Sequence, residues 1–316
     1  EQPGEHWSRE YNKENIATLA RLAKQADVVL YFAGEESILS GEARCRAVLD
    51  LPGDQSEQIR AIKATGKPVV LTVMAGRPLC IKEDIDRVDA VLYAFHGGTM
   101  QGPALANIIM GKVAPSGRLP MTFPVGVGQI PFYYNYKMPS RLMAQSPKLI
   151  NDIPVRAYQF SVGESSYWLE YGNKPEYPFG YGLTYTTFEY GPVTLSDTVL
   201  LTPDSRLPIK VSCEITNTGK RDAVAVPQLY IRDLVGSLTR PLRELKGFQR
   251  VEIPAGESRT VSFSITEDDL AYWHLAEGVT LGADGEYTFS AEPGDFHVWI
   301  APNAAEGQAA KFTLKK

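Results

Sequence analysis

The sequence predicts a multidomain chain, an α/β sandwich built on a mostly parallel sheet and then an all-β sandwich. Three observations carry this. Apolar runs at residues 27–34, 68–74 and 90–95 alternate with helical patterns, the signature of a parallel, right-handed βαβ sheet. Beyond about Tyr190 the chain breaks into short alternating strands separated by turn residues, as in a β-sandwich. The length of 316 residues suits about two domains.

Taken in order, residues 11–25 place Ile16, Leu19, Leu22 and Ala23 on one helical face. Residues 27–34 follow as a strand whose unbroken apolar run reads as buried on both faces. Residues 55–66 read as a helix stopped by Gly66, 68–74 as a second strand, and 90–95 as a third buried strand. Residues 102–111 form a helix opened by Pro103 and closed by Gly111. From 123 to about 187 Pro, Gly and Tyr are dense and no period is sustained, which reads as a long ordered connector packed through its tyrosines. Strands are then expected at 208–216, 225–232, 258–265, 285–290 and 296–301, with turns at Asn217 to Gly219 and Pro254 to Gly256. Trp273 and Trp299 read as core or inter-domain contacts. The expected domain limits are 1–122, 123–187 and 188–316.

Composition excludes several function classes. The formal net charge of −5, with both signs interspersed, provides no basic footprint for nucleic acid or anionic lipid. No run of about 20 apolar residues exists to span a bilayer, and the first residues lack a basic stretch followed by an apolar one. Three cysteines, Cys45, Cys80 and Cys213, and four scattered histidines form neither a metal motif nor a disulfide framework. Neither metal nor cofactor is expected, and the partners expected exclude nucleic acid and membrane.

The chemistry concentrates after the first strand. Residues 35–46 hold Glu35, Glu36, Glu42, Arg44 and Arg46, where open parallel sheets bind their ligands. Any of the carboxylates is a candidate acid or base; Glu35 and Glu36 could equally cap a helix or pair with Arg44 or Arg46. Arg46 reads either as a cation that orients the loop or as a surface charge. His96, after the third strand, reads first as a hydrogen-bonded loop residue. Cys45 lies beside the loop without a histidine base.

Several strings in order resemble the C-terminal half of a family 3 glycoside hydrolase of the β-glucosidase type. They are Gly41-Glu42 with Arg46, Thr65-Gly-Lys-Pro-Val-Val70 with Ala75-Gly-Arg-Pro78, and Pro115-Ser-Gly-Arg-Leu-Pro120 with Phe123-Pro124. Further on come Gly128-Gln-Ile-Pro131, the run from Tyr177 to Phe188, and Val235-Gly-Ser-Leu-Thr-Arg-Pro241 with Leu245-Lys-Gly-Phe248. Together they span almost the whole chain. The resemblance implies an α/β sandwich domain, a linker and a fibronectin type III-like domain. It also implies a retaining mechanism in which an Asp nucleophile acts with a carboxylic acid/base.

In that family the nucleophile sits on a preceding TIM barrel and the acid/base on a loop of the sandwich domain; Glu42 matches the acid/base position. Glu35, Glu36, Arg44, Arg46 and His96 are then expected to bind substrate or orient the loop. No barrel precedes Glu1, so the chain is expected to be a C-terminal portion, inactive alone, whose sheet lacks one or two strands. Phe95 to Gln101 departs from the family pattern, as do Arg44 and Cys45. The resemblance implies a β-linked oligosaccharide or aryl glucoside as substrate, a periplasmic or secreted location, and a homodimer as the assembly considered. A β-xylosidase and a non-catalytic carbohydrate-binding or inter-domain scaffold are the alternatives.

Overall fold

The structure is a computed structural model and describes residues 12–137, 146–201, 208–276 and 287–315. Parts of three expected segments, the first helix, the connector and the strand at 285–290, fall outside these residues. Among the described residues, packing separates two compact units. One holds the residues up to Lys112 with Phe123–Phe132 and Trp168–Glu176; the other holds Val113–Thr122, Tyr133–Tyr167 and the residues from Tyr177 onward. The segment read as a connector is thus shared between the two.

The first unit is a three-stranded parallel sheet in the order β1 (Val29–Gly34), β2 (Val69–Met74), β3 (Ala90–Tyr93). Helix α1 (Lys13–Gln25) starts where the Asn12 side chain accepts hydrogen bonds from the amides of Glu14 and Asn15, an N-cap that satisfies two otherwise free donors. It packs beside α2 (Gln55–Lys63), and Ala23 and Ile62 cover Val69 with Leu19 and Val29 around them. Ile59 of α2 joins Ala33, Leu71, Val73, Leu79 and Ile81 in a second cluster. Helix α3 (Lys82–Arg87) and helix α4 (Gln101–Ile109) complete the unit.

Three expectations need correction here, and one helix carries no sequence signal. Leu22 is exposed, and the inward face of α1 runs through Ile16, Leu19, Ala20 and Ala23. The helices cover only one face of β1: Leu30 and Phe32 on the other are 44% and 49% exposed, and no residue of β3 is fully buried. An apolar run states that a strand prefers cover, not that neighbours supply it on both sides. Helix α3 was not anticipated because its six residues, Lys-Glu-Asp-Ile-Asp-Arg, carry no apolar stripe.

The second unit packs two antiparallel layers. One sheet orders Glu244–Phe248, Gln228–Asp233, Gly294–Ala301, Ala310–Lys315 and Val199–Leu201, the last pair parallel. The other orders Ser258–Ile265, Ile209–Asn217 and Phe188–Tyr190, with Thr194–Leu195 also on the middle strand. Ile209, Val211, Cys213 and Ile215 point inward at every second position and meet Leu229, Ile231, Phe296, Val298, Phe312 and Leu314, the two-residue period of a strand with one face buried. The strand expected at 225–232 is two, Ala223–Ala225 and Gln228–Asp233, because Pro227 offers no donor to a ladder. Trp299 is buried as expected. Trp273 is not a core residue: it lies opposite Phe289 on the outer face of a two-stranded hairpin and is 64% exposed. Aromatic residues of the former connector do pack, Tyr134 stacking on Phe179 at 4.1 Å between centroids.

Among the described residues no helix is long and apolar enough to cross a membrane.

Candidate active site

The parallel register sets the site. Gly34 lies beside Met74 and Val73 beside Tyr93, so the three strands end level and the loops that follow them share one edge of the sheet. Gly34 has φ +136°, and a Cβ there would collide with the backbone carbonyl of Met74. Only glycine accepts both conditions. Its amide and carbonyl are both taken by the Gln55 side chain, at 2.8 and 3.0 Å, which closes the free edge of β1 at the point where the loop begins.

Glu35, the first loop residue, donates its amide to Met74 O at 2.9 Å and has a fully buried side chain. Arg46 Nη1 meets its Oε1 at 2.7 Å and Arg77 Nε its Oε2 at 3.1 Å. A buried carboxylate needs such partners to stay charged. Arg46 Nη2 also donates to Asp50 O at 2.9 Å, and Arg77 Nη2 to Leu39 O at 2.6 Å and Arg44 O at 3.1 Å. The Arg77 carbonyl in turn accepts the Tyr93 hydroxyl at 2.5 Å, whose oxygen receives the Leu79 amide at 3.2 Å. Burial holds the Tyr93 phenol well above its ordinary range, so it remains a donor.

Glu42 stands at the tip of this loop, exposed, with no hydrogen bond or ion pair to the described residues. The backbone around it is unusual: Gly41 has φ +119° and Ala43 φ +58°. Among the described residues only Ala43, Phe95 and Arg156 adopt positive φ without being glycine, and Phe95 directly precedes His96. Such conformations cost energy and gather at functional sites. His96 is exposed and reaches across: a Cβ on Gly76 would lie 3.0 Å from both His96 Nε2 and Ser40 Oγ. Side chains from the loops after β1 and β3 therefore converge over the loop after β2. Glu36 is exposed and precedes the short 3₁₀ turn Ser37–Leu39 without capping it through its side chain. Arg44 contributes its carbonyl to Arg77 and leaves its side chain exposed.

Comparison with known proteins places the chain in a family. The model of the glycosyl hydrolase family 3 C-terminal domain matches residues 3–185, more than half of the chain. The chain belongs to glycosyl hydrolase family 3. The model of the fibronectin type III-like domain matches residues 225–304, so the α/β-then-all-β order is that of the family's C-terminal half. The chain is 39% identical to the periplasmic beta-glucosidase of Salmonella typhimurium, over 95% of this chain and 36% of that protein. It is 38% identical to a beta-xylosidase of Formosa agariphila over 82% of this chain and 33% of that one. The beta-glucosidase of Listeria innocua, solved in complex with gluconolactone, superposes with a TM-score of 0.83 at 30% identity, covering 97% of this chain and 39% of its own. This family 3 chain thus spans roughly a third of the length of each relative.

Sequence reasoning singled out Glu35 and Arg46, which the fold brings together, but missed Arg77 and Tyr93. Arg77 lies inside a string that carried the family resemblance, yet its partner Glu35 is on another strand's loop. Among the described residues no three His, Cys, Asp or Glu side chains stand close enough to hold a metal ion.

The cysteines offer a check on this geometry. Cys45 is exposed, whereas burial, with Asp50 adding, pushes the Cys80 thiol up to about 11, and burial also raises Cys213. The thiolate is the reactive form, so iodoacetamide at pH 8 is expected to label Cys45 alone, with Cys80 joining as the pH climbs towards its titration. Peptide mapping that finds Cys80 labelled as fast as Cys45 at pH 8 would contradict the loop packing.

Proposed function

We propose that this chain supplies Glu42 as the general acid/base of a retaining β-glycosidase that hydrolyses terminal β-glucosides. The observation that carries the reading is that Glu42, alone of the loop's three glutamates, is exposed and has no hydrogen bond or ion pair to the described residues, at the tip of a loop that Arg77 ties on both sides. Glu35 is spoken for by two arginines and serves as an anchor.

In this mechanism Glu42 protonates the glycosidic oxygen while an Asp nucleophile attacks the anomeric carbon. The leaving group departs with that proton, and Glu42 then takes a proton from the water that releases the sugar. In retaining enzymes the two carboxyl groups face each other at about 5–5.5 Å. The nucleophile is assigned to a TIM barrel in the longer protein, together with most groups that hold the terminal sugar. The substrates are β-linked oligosaccharides and aryl β-glucosides, and the location is periplasmic or secreted, a reading supported by the Salmonella relative. The likeness to the Formosa protein favours β-xylosides as the second substrate class. Arg44, Glu36 and His96 are assigned to substrate contact at the rim, and Arg46 to loop orientation.

The test is hydrolysis of aryl β-glucosides and β-xylosides by the 316-residue chain and by a longer polypeptide that joins it to a family barrel. Turnover with retained anomeric configuration only in the longer form is expected, faster on the glucoside. Turnover by the short chain would overturn the division of the two carboxylates. A longer form inert on both substrates would favour the scaffold reading.

A further inference from the structure

Glu42 has no side-chain tie of its own among the described residues, so something else must fix where it points. The loop leaves β1 at Glu35 and returns past Arg46, and Arg77 grips it at three places: Glu35 Oε2, Leu39 O and Arg44 O. The last two are the two sides of the excursion that holds Ser40, Gly41, Glu42 and Ala43. A single Nη2 therefore closes this excursion like a staple, while Nε holds the buried anchor beneath it. Arg77 is itself held from β3 through the Tyr93 hydroxyl on its carbonyl. The contacts run from the sheet, through Arg77, to the two shoulders of the loop tip.

We propose that Arg77 is the positioning residue for Glu42, an inference that rests on reading Glu42 as the acid/base. Only a guanidinium does this. Its planar fork points several N–H groups in fixed directions, whereas a lysine ammonium could neutralise Glu35 without bridging two carbonyls at the same time. Because a displacement of about 1 Å can cost on the order of 100-fold in rate, a loop freed from Arg77 carries a carboxylic acid that is present but misaimed.

The experiment is made in the longer, barrel-containing enzyme with Arg77→Lys, which keeps the charge beside Glu35, and with Arg77→Gln as the second variant. kcat/KM is measured over a series of aryl β-glucosides of falling phenol pKa, alongside Tm. For phenols that need protonation to leave, kcat/KM is expected to fall roughly 10- to 100-fold, and for dinitrophenol, which leaves unassisted, by less than about threefold. That steepened leaving-group dependence is what a merely structural lesion would not produce. A uniform loss across the series, or no loss, overturns the assignment of Arg77. If Glu42→Gln in the same enzyme leaves the leaving-group dependence unchanged, it is the acid/base reading of Glu42 that fails, whatever Arg77 does.

Discussion

Replacing Glu42 by Gln in the barrel-containing enzyme is expected to lower kcat/KM on alkyl and oligosaccharide β-glucosides by roughly 10²- to 10⁴-fold, the usual contribution of general acid catalysis. The amide cannot deliver a proton to the leaving oxygen, and the penalty grows with the basicity of that oxygen. On dinitrophenyl β-glucoside the first step should survive, since the leaving phenolate needs no proton. The second step should then limit turnover, because no base remains to activate water. Azide, which attacks the glycosyl-enzyme without base assistance, should raise kcat on this substrate and yield the β-glycosyl azide. Unchanged turnover on poor leaving groups, or no azide product, would remove Glu42 from the mechanism. The substitution should leave Tm unchanged within error, because Glu42 is exposed and makes no hydrogen bond or ion pair to the described residues.

The largest stability effect is expected in the second unit. Phe296 is 1% exposed and stacks on Phe312 with centroids 5.2 Å apart and planes 16° from parallel. Both rings belong to the cluster that joins the two sheets. Phe296→Ala removes a buried ring and leaves a cavity that the pleated neighbours cannot close, a change worth about 3–5 kcal/mol. At about 2–4 °C per kcal/mol for a unit of this size, scanning calorimetry of the 316-residue chain should show the second unit melting roughly 6–20 °C lower. The transition of the first unit should hardly move. A shift below about 2 °C would mean that the two sheets do not share this core.

Much of the architecture was legible because it depends on local rules. The alternation of apolar runs and helical patterns gives β1, α2, β2, β3 and α4 within a few residues, and the two-residue period of 209–217 gives a half-buried strand. What escaped depends on partners distant in sequence. The apolar residues of β1 look the same whether or not a neighbour covers Leu30 and Phe32. Trp273 looks like core until strand pairing sets it opposite Phe289 on the outer face. Arg77 meets Glu35 only because Gly34 and Met74 are register partners, and no feature of a string around either residue announces the other. The glutamate loop was visible as a cluster of charge; which of its members is anchored and which is free is decided by that register.

The pairing of Val199 with Thr313 has a consequence in time. A ribosome emits the first of these partners long before the second, and at about 5–20 residues per second the interval is on the order of ten seconds. Through that interval Val199–Leu201 lacks the strand with which it pairs, and Leu200 lacks Phe312 and Leu314 of its core cluster. The second unit therefore cannot finish its larger sheet vectorially. It must wait for the strand Ala310–Lys315.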